Sequence, residues 1–123
     1  MIEDSREKAL RIGRVISQKK GLDLIILDVH SLASFTDYFI IVSGRSIRQV
    51  QALANHIEEA LRAEKIRPLG VEGAREGSWV LMDYGDVIVH LFYQPAREFY
   101  NLEGLWEDAG RVPLGAEGEA AEA

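Results

Sequence analysis

Residues 79–92, WVLMDYGDVIVHLF, hold two apolar, β-rich runs on either side of Tyr84-Gly85, a two-residue loop with glycine at a position that can take a positive φ. The pattern predicts a β-hairpin. Pairing Asp83 with Asp86 across the loop sets Leu81 opposite Ile88 and Trp79 opposite His90, and strand alternation puts all of these side chains on one face. Val80, Met82, Val87, Val89 and Leu91 form the other face, which is purely apolar and suited to packing under helices. The first face mixes a tryptophan, a histidine and two carboxylates with aliphatic residues. It fits either a second core layer or an exposed docking surface, and the pattern alone leaves both open. Interface centres favour Trp and Tyr, and a carboxylate rim would select a basic partner.

Working outward, Pro68, Gly70, Gly73 and Gly77 punctuate the preceding segment, with a short strand expected at 67–72. Before it, Ile47, Val50, Leu53, Ala54, Ile57 and Leu61 make one helical stripe that starts after Ser46. Leu24 to Leu27 and Tyr38 to Val42 read as two strands separated by a polar loop. At the N-terminal end Ala9, Ile12, Gly13 and Ile16 follow helical spacing, and Asp4 with Glu7 resembles a capping box, so a helix is expected at 4–19. Downstream of the hairpin, Phe99, Leu102, Leu105/Trp106 and Ala109 recur at helical spacing, and Gly104 splits them into two short helical turns. This order gives a single α/β domain, a mixed β-sheet flanked by helices.

The 123 residues are 47% apolar, enough for one core. Fourteen Lys and Arg against 20 Asp and Glu leave a net charge of −6, which argues against a protein whose main contact is a long run of nucleic-acid phosphate. With no cysteine, disulfides, thiol catalysis and thiolate zinc sites are excluded. No apolar run is long enough to span a membrane, and the acidic start MIEDSREKAL is unlike a leader peptide, so a cytoplasmic protein is expected. Residues 1–112 are assigned to the domain. Residues 113–123, which carry Glu117, Glu119 and Glu122 without a basic neighbour, are expected to be a disordered acidic tail.

Catalytic signatures are sparse. The only acid-x-acid triplet is Glu117-Gly118-Glu119, in the tail, so a two-metal transfer site has no carboxylate pair within the body. His30, His56 and His90 lack the spacing that sets two imidazoles on one helical face. Neither a metal nor a cofactor is expected. Ser43-Gly44-Arg45-Ser46 leads into a helix N-terminus but lacks the phosphate-binding glycine patterns, and reads as a strand-to-helix turn with a serine cap. Arg45, Arg48 and Arg97 are the candidates for contact with RNA.

Three blocks, TDYFIIVSGRSIRQVQALANHIEEAL (36–61), GSWVLMDYGDVIVHLF (77–92) and REFYNLEGLWEDA (97–109), resemble in order and spacing the ribosomal silencing factor family, RsfS, also called Iojap-like. The resemblance runs over about residues 5–110. It implies a nucleotidyltransferase-like topology without enzymatic activity. It also implies binding to the large ribosomal subunit at its protein uL14, steric blocking of subunit joining, repression of translation in starvation or stationary phase, and a homodimer when free. Carried over residue by residue, it places Trp79, Leu81, Asp83, Tyr84, Asp86, Ile88 and His90 on or near the docking sheet and Tyr100 in the helical block that follows. The competing readings are a nucleotide-binding or nucleotidyltransferase-like enzyme using Ser43-Gly44, and a generic dimeric interaction module.

Overall fold

A computed structural model describes residues 4–115. The elements in chain order are α1 (Ser5–Gln18), β1 (Leu22–Asp28), β2 (Tyr38–Gly44), α2 (Ile47–Ala63), β3 (Gly70–Glu72), β4 (Trp79–Asp83), β5 (Val87–Tyr93), α3 (Gln94–Tyr100), α4 (Leu102–Leu105) and β6 (Gly110–Arg111). They form one α/β domain around a six-stranded mixed sheet of order β3-β4-β5-β2-β1-β6. Only β2 and β5 run parallel; the other neighbours are antiparallel. β2 reads YFIIVSG with no polar alternation because it lies at the centre, and every one of its residues is buried.

Both long helices start on the caps that the sequence indicates. The Asp4 carboxylate accepts the Glu7 N–H at 2.7 Å and the Ser46 hydroxyl accepts the Gln49 N–H at 3.0 Å, each satisfying a donor that a helix start leaves free. α1 and α2 cover one face of the sheet. Ala9, Ile12 and Ile16 of α1 and Val50, Leu53, Ile57 and Leu61 of α2 pack with Ile40, Val42, Val80, Met82, Val89 and Leu91. Truncating a fully buried member such as Leu53 to alanine would cost about 2–5 kcal/mol.

Several expectations from sequence need correction. Ile47 leaves the stripe: it is 41% exposed, on the first turn of α2, where it meets the loop at Gly77. Phe99 and Leu105 are likewise exposed, and only Leu102, Trp106 and Ala109 of that set pack on the sheet. The break between α3 and α4 falls at Asn101, which adopts a left-handed conformation (φ 45°) and closes so tightly on Gly104 that a Cβ there would collide with its amide. β6, a two-residue edge strand on β1, had no sequence signal. In the segment assigned to the tail, Leu114 packs against the helix-side core, next to Gly13. Residues 116–123 lie outside the described residues.

The hairpin forms with a register two residues from the expected one. Asp83 faces Ile88, Leu81 faces His90 and Trp79 faces Phe92. Tyr84 N–H donates to the Val87 carbonyl at 2.9 Å, so the loop is Gly85-Asp86, with glycine (φ 85°) at its first position. A shift of two preserves strand parity, so the assignment of faces survives for β4 and β5. It changes the fate of the two turn residues.

Candidate functional site

The sheet face turned away from α1 and α2 is built from three cross-strand rows. Trp79, Phe92 and Ser43 form one; Glu72, Leu81, His90, Ile41 and Ile25 the next; Gly70, Asp83, Ile88, Phe39, Leu27 and Arg111 the third. α3, α4 and the loop 29–37 cover part of this face. Trp106 meets Phe39 edge-on at 5.0 Å between ring centroids, and Leu27, Val29, Ala33, Phe39, Ile41 and Phe92 form a small second core. Trp79, Leu81, Asp83 and Ile88 stay half-buried, and Glu72 is exposed. Part of the face is thus a second core layer, and part of it is open.

Aromatic rings run across it in an unbroken series. Centroid separations are 6.0 Å from Phe35 to Phe39, 5.2 Å to His90, 5.9 Å to Trp79, 4.7 Å to Tyr100 and 5.1 Å to Phe99. The series is buried in the middle, where His90 is 5% exposed, and open at its ends, where Phe35 is 60% and Phe99 74% exposed. Ring pairs at these separations contribute about 0.5–1.5 kcal/mol each beyond simple burial. Exposed aromatic ends joined to a buried centre form an anchored apolar patch, and Asp83 and Glu72 lie on its β3–β4 side. The Asp83 carboxylate also accepts the Gly85 N–H at 2.8 Å and fixes the turn. Burial lowers the His90 pKa to about 4, so the ring is neutral at physiological pH.

The structure brings together Trp79, Leu81, Asp83, Ile88, His90 and Tyr100 and separates the other two candidates from them. Tyr84 points into the helix-side core, 5% exposed, with its hydroxyl pKa raised to about 12, first by burial and then by the Glu58 carboxylate. A ring at a turn tip would have stayed in water; burying it under α2 sets the register. Asp86 pairs with Lys8 of α1 at 2.7 Å, again on the helix side.

Arg97 is not available to RNA. Its guanidinium is buried: Nε donates to Glu103 at 2.9 Å, and Nη1 donates to the Asp23 carbonyl at 2.7 Å and the Ser43 hydroxyl at 3.1 Å. Arg45 and Arg48 are exposed. Of the other histidines, His30 pairs with Asp28 on an exposed loop, which raises the imidazole pKa and lowers that of the carboxyl, and His56 lies on α2.

Sequence reasoning missed Phe92, Phe35 and Phe99 as members of this face. Phe92 was findable, since it shares parity with Ile88 and His90. Phe35 sits in a loop without periodicity, and Phe99 was assigned to the core by a helical spacing that the break at Asn101 cuts short. Among the described residues no group of three or more His, Asp or Glu side chains is placed to hold a metal ion, and no helix is long and apolar enough to cross a membrane.

Comparison with known proteins places this architecture. The family model described as "Ribosomal silencing factor during starvation" matches residues 2–123. The ribosomal silencing factor RsfS of Bacillus subtilis is 43% identical over 96 residues, covering 78% of this chain and 81% of that one. The chloroplastic protein Iojap of Arabidopsis thaliana is 33% identical over 116 residues, covering 92% of this chain and 48% of its own length. A crystal structure of a Chromobacterium violaceum protein superposes with a TM-score of 0.83 at 36% identity, covering 90% of this chain and 91% of that chain. The family model covers nearly the whole chain and the Bacillus subtilis relative bears the same family name, so the chain belongs to the ribosomal silencing factor family, RsfS.

Proposed function

We propose that this protein docks on the large ribosomal subunit through its protein uL14, using the face around Trp79, and thereby blocks joining of the small subunit and represses translation in starvation or stationary phase. The observation that carries this reading is the aromatic series, buried at His90 and open at Phe35, Tyr100 and Phe99, beside the carboxylates of Asp83 and Glu72. Buried aromatic anchors with a charged rim are the anatomy of a protein interface, and acidic rim groups favour a basic partner. The action is steric and cytoplasmic and uses no catalysis, cofactor or metal. Trp79 and Leu81 supply apolar contact, Asp83 meets lysine or arginine, and Arg45 and Arg48 are the groups free to reach ribosomal RNA. In the absence of ribosomes the same apolar face pairs two copies.

The test is co-sedimentation of the purified protein with isolated large and small subunits. Binding to the large subunit alone, with salt-dependent affinity, supports the reading. Binding to neither subunit rejects it. A binder that tolerates every substitution on the Trp79 face would place the docking surface elsewhere.

A further inference from the structure

Trp79 and His90 occupy neighbouring strands one row apart: Trp79 faces Phe92 and His90 faces Leu81. This diagonal brings the indole Nε1–H of Trp79 to 3.2 Å from His90 Nδ1. An indole nitrogen only donates, so Nδ1 accepts and the single proton of the neutral imidazole sits on Nε2. A protonated ring would present N–H groups on both nitrogens and would oppose the indole. The imidazole is boxed in by Phe39, perpendicular at 5.2 Å, and Phe92, nearly parallel at 6.4 Å. Ile41 and Leu81 are its row neighbours. The titratable groups on the same face are Asp83, one row along, Glu72, at the end of the same row, Arg111, at the far end of the Asp83 row, and Tyr100, beyond Trp79. The indole itself lies against Phe92 at 4.9 Å and Tyr100 at 4.7 Å.

We propose that His90 is a positioning residue for the docking face: it engages the one polar atom of Trp79, so that the indole is presented to the partner as an apolar ring in a fixed pose. The group that Trp79 meets is then aliphatic or cationic, not a hydrogen-bond acceptor, because the only donor of the ring is already engaged. This rests on the docking reading above. A side chain ordered before binding does not have to be ordered by it, which is where the gain in affinity arises.

Three variants test it. His90→Phe keeps a ring and removes the acceptor; His90→Asn keeps an acceptor oxygen on the atom that carries Nδ1 in histidine, Cγ; Trp79→Ala removes the anchor. Large-subunit affinity falls about tenfold in His90→Phe and stays within about threefold of the parent in His90→Asn, the difference expected for one engaged hydrogen bond. Hydrogen exchange of the Trp79 indole N–H, read by NMR, quickens in His90→Phe and not in His90→Asn. In the parent protein the indole resonance holds on acidification until His90 takes a proton near pH 4. Equal losses of affinity in both His90 variants would reduce His90 to a packing residue and overturn the proposal. Unchanged affinity in His90→Phe together with weakened Trp79→Ala overturns it while leaving the docking reading intact. Unchanged affinity in Trp79→Ala overturns both.

Discussion

Lys8 of α1 holds the Asp86 carboxylate at 2.7 Å, on the helix-covered side of the sheet, whereas Asp83, three residues earlier, lies on the open face with Trp79 and Leu81. The two turn carboxylates therefore have different tasks. Replacing Asp86 with alanine removes a partly exposed ion pair, so stability should fall by only about 0.5–1 kcal/mol, read by urea unfolding, with large-subunit affinity unchanged. Asp83→Asn keeps an acceptor for the Gly85 N–H and removes the charge. It should leave the fold intact, weaken large-subunit binding several-fold and flatten its salt dependence.

Tyr84 gives a sharper contrast. Its hydroxyl is buried and has no hydrogen-bond partner among the described residues. Removing that group relieves a buried polar atom, so Tyr84→Phe should be neutral or stabilising by up to about 1 kcal/mol, with no change in ribosome binding. A loss of affinity with unaltered stability would return Tyr84 to the docking surface.

The different fates of Tyr84 and Phe92 mark where the sequence stops being legible. Apolar periodicity located both long helices, the four main strands and the parity of the hairpin faces, because burial on one side writes a period into the residues themselves. Register carries no such mark: pairing through Tyr84-Gly85 and pairing through Gly85-Asp86 give the same alternation. Burial of the Tyr84 ring under α2 decides between them, and only the tertiary structure supplies that burial. Arg97 escaped for a similar reason. Nothing local distinguishes a solvated arginine from one that fastens α3 to β1 and β2. The candidate face was legible where it lies on strands, at Trp79, Leu81, Asp83, Ile88 and His90, and illegible where loop 29–37 and the helix break at Asn101 bring in Phe35 and Phe99.

Arg97 makes a prediction of its own. Its guanidinium joins Glu103 of α4 to the Asp23 carbonyl, where the backbone takes a positive φ of 51°, and to Ser43. Arg97→Ala leaves these buried acceptors without their donor, and should cost about 3–5 kcal/mol in a thermal or urea melt. Since α3 carries Tyr100, large-subunit binding should weaken as well. Arg97→Lys should recover only part of the stability, because an ammonium group cannot reproduce the planar fork.

His90 contributes to the acid side of the stability profile. Its pKa is about 4 in the folded protein and 6.5 in the unfolded chain, so the unfolded state binds more protons between these values. Stability from this group is fully present above pH 6.5 and is lost as pH falls towards 4, an effect on the order of 3 kcal/mol. His90→Phe should remove that part of the pH dependence, seen as a flatter curve of unfolding free energy over the same interval. A variant with the parental slope would assign the acid sensitivity to other groups.

The most direct test of the account is a subunit-joining measurement by light scattering, with large subunits preincubated with the parent protein or with Leu81→Arg. Leu81 is half-buried at the open edge of the face, so arginine there can be accommodated by the fold, checked by near-ultraviolet circular dichroism, while it places a cation where a basic partner is expected. The parent protein should suppress joining in proportion to its occupancy of large subunits, and Leu81→Arg, correctly folded, should restore joining. Joining that proceeds normally with large subunits saturated by the parent protein would contradict it.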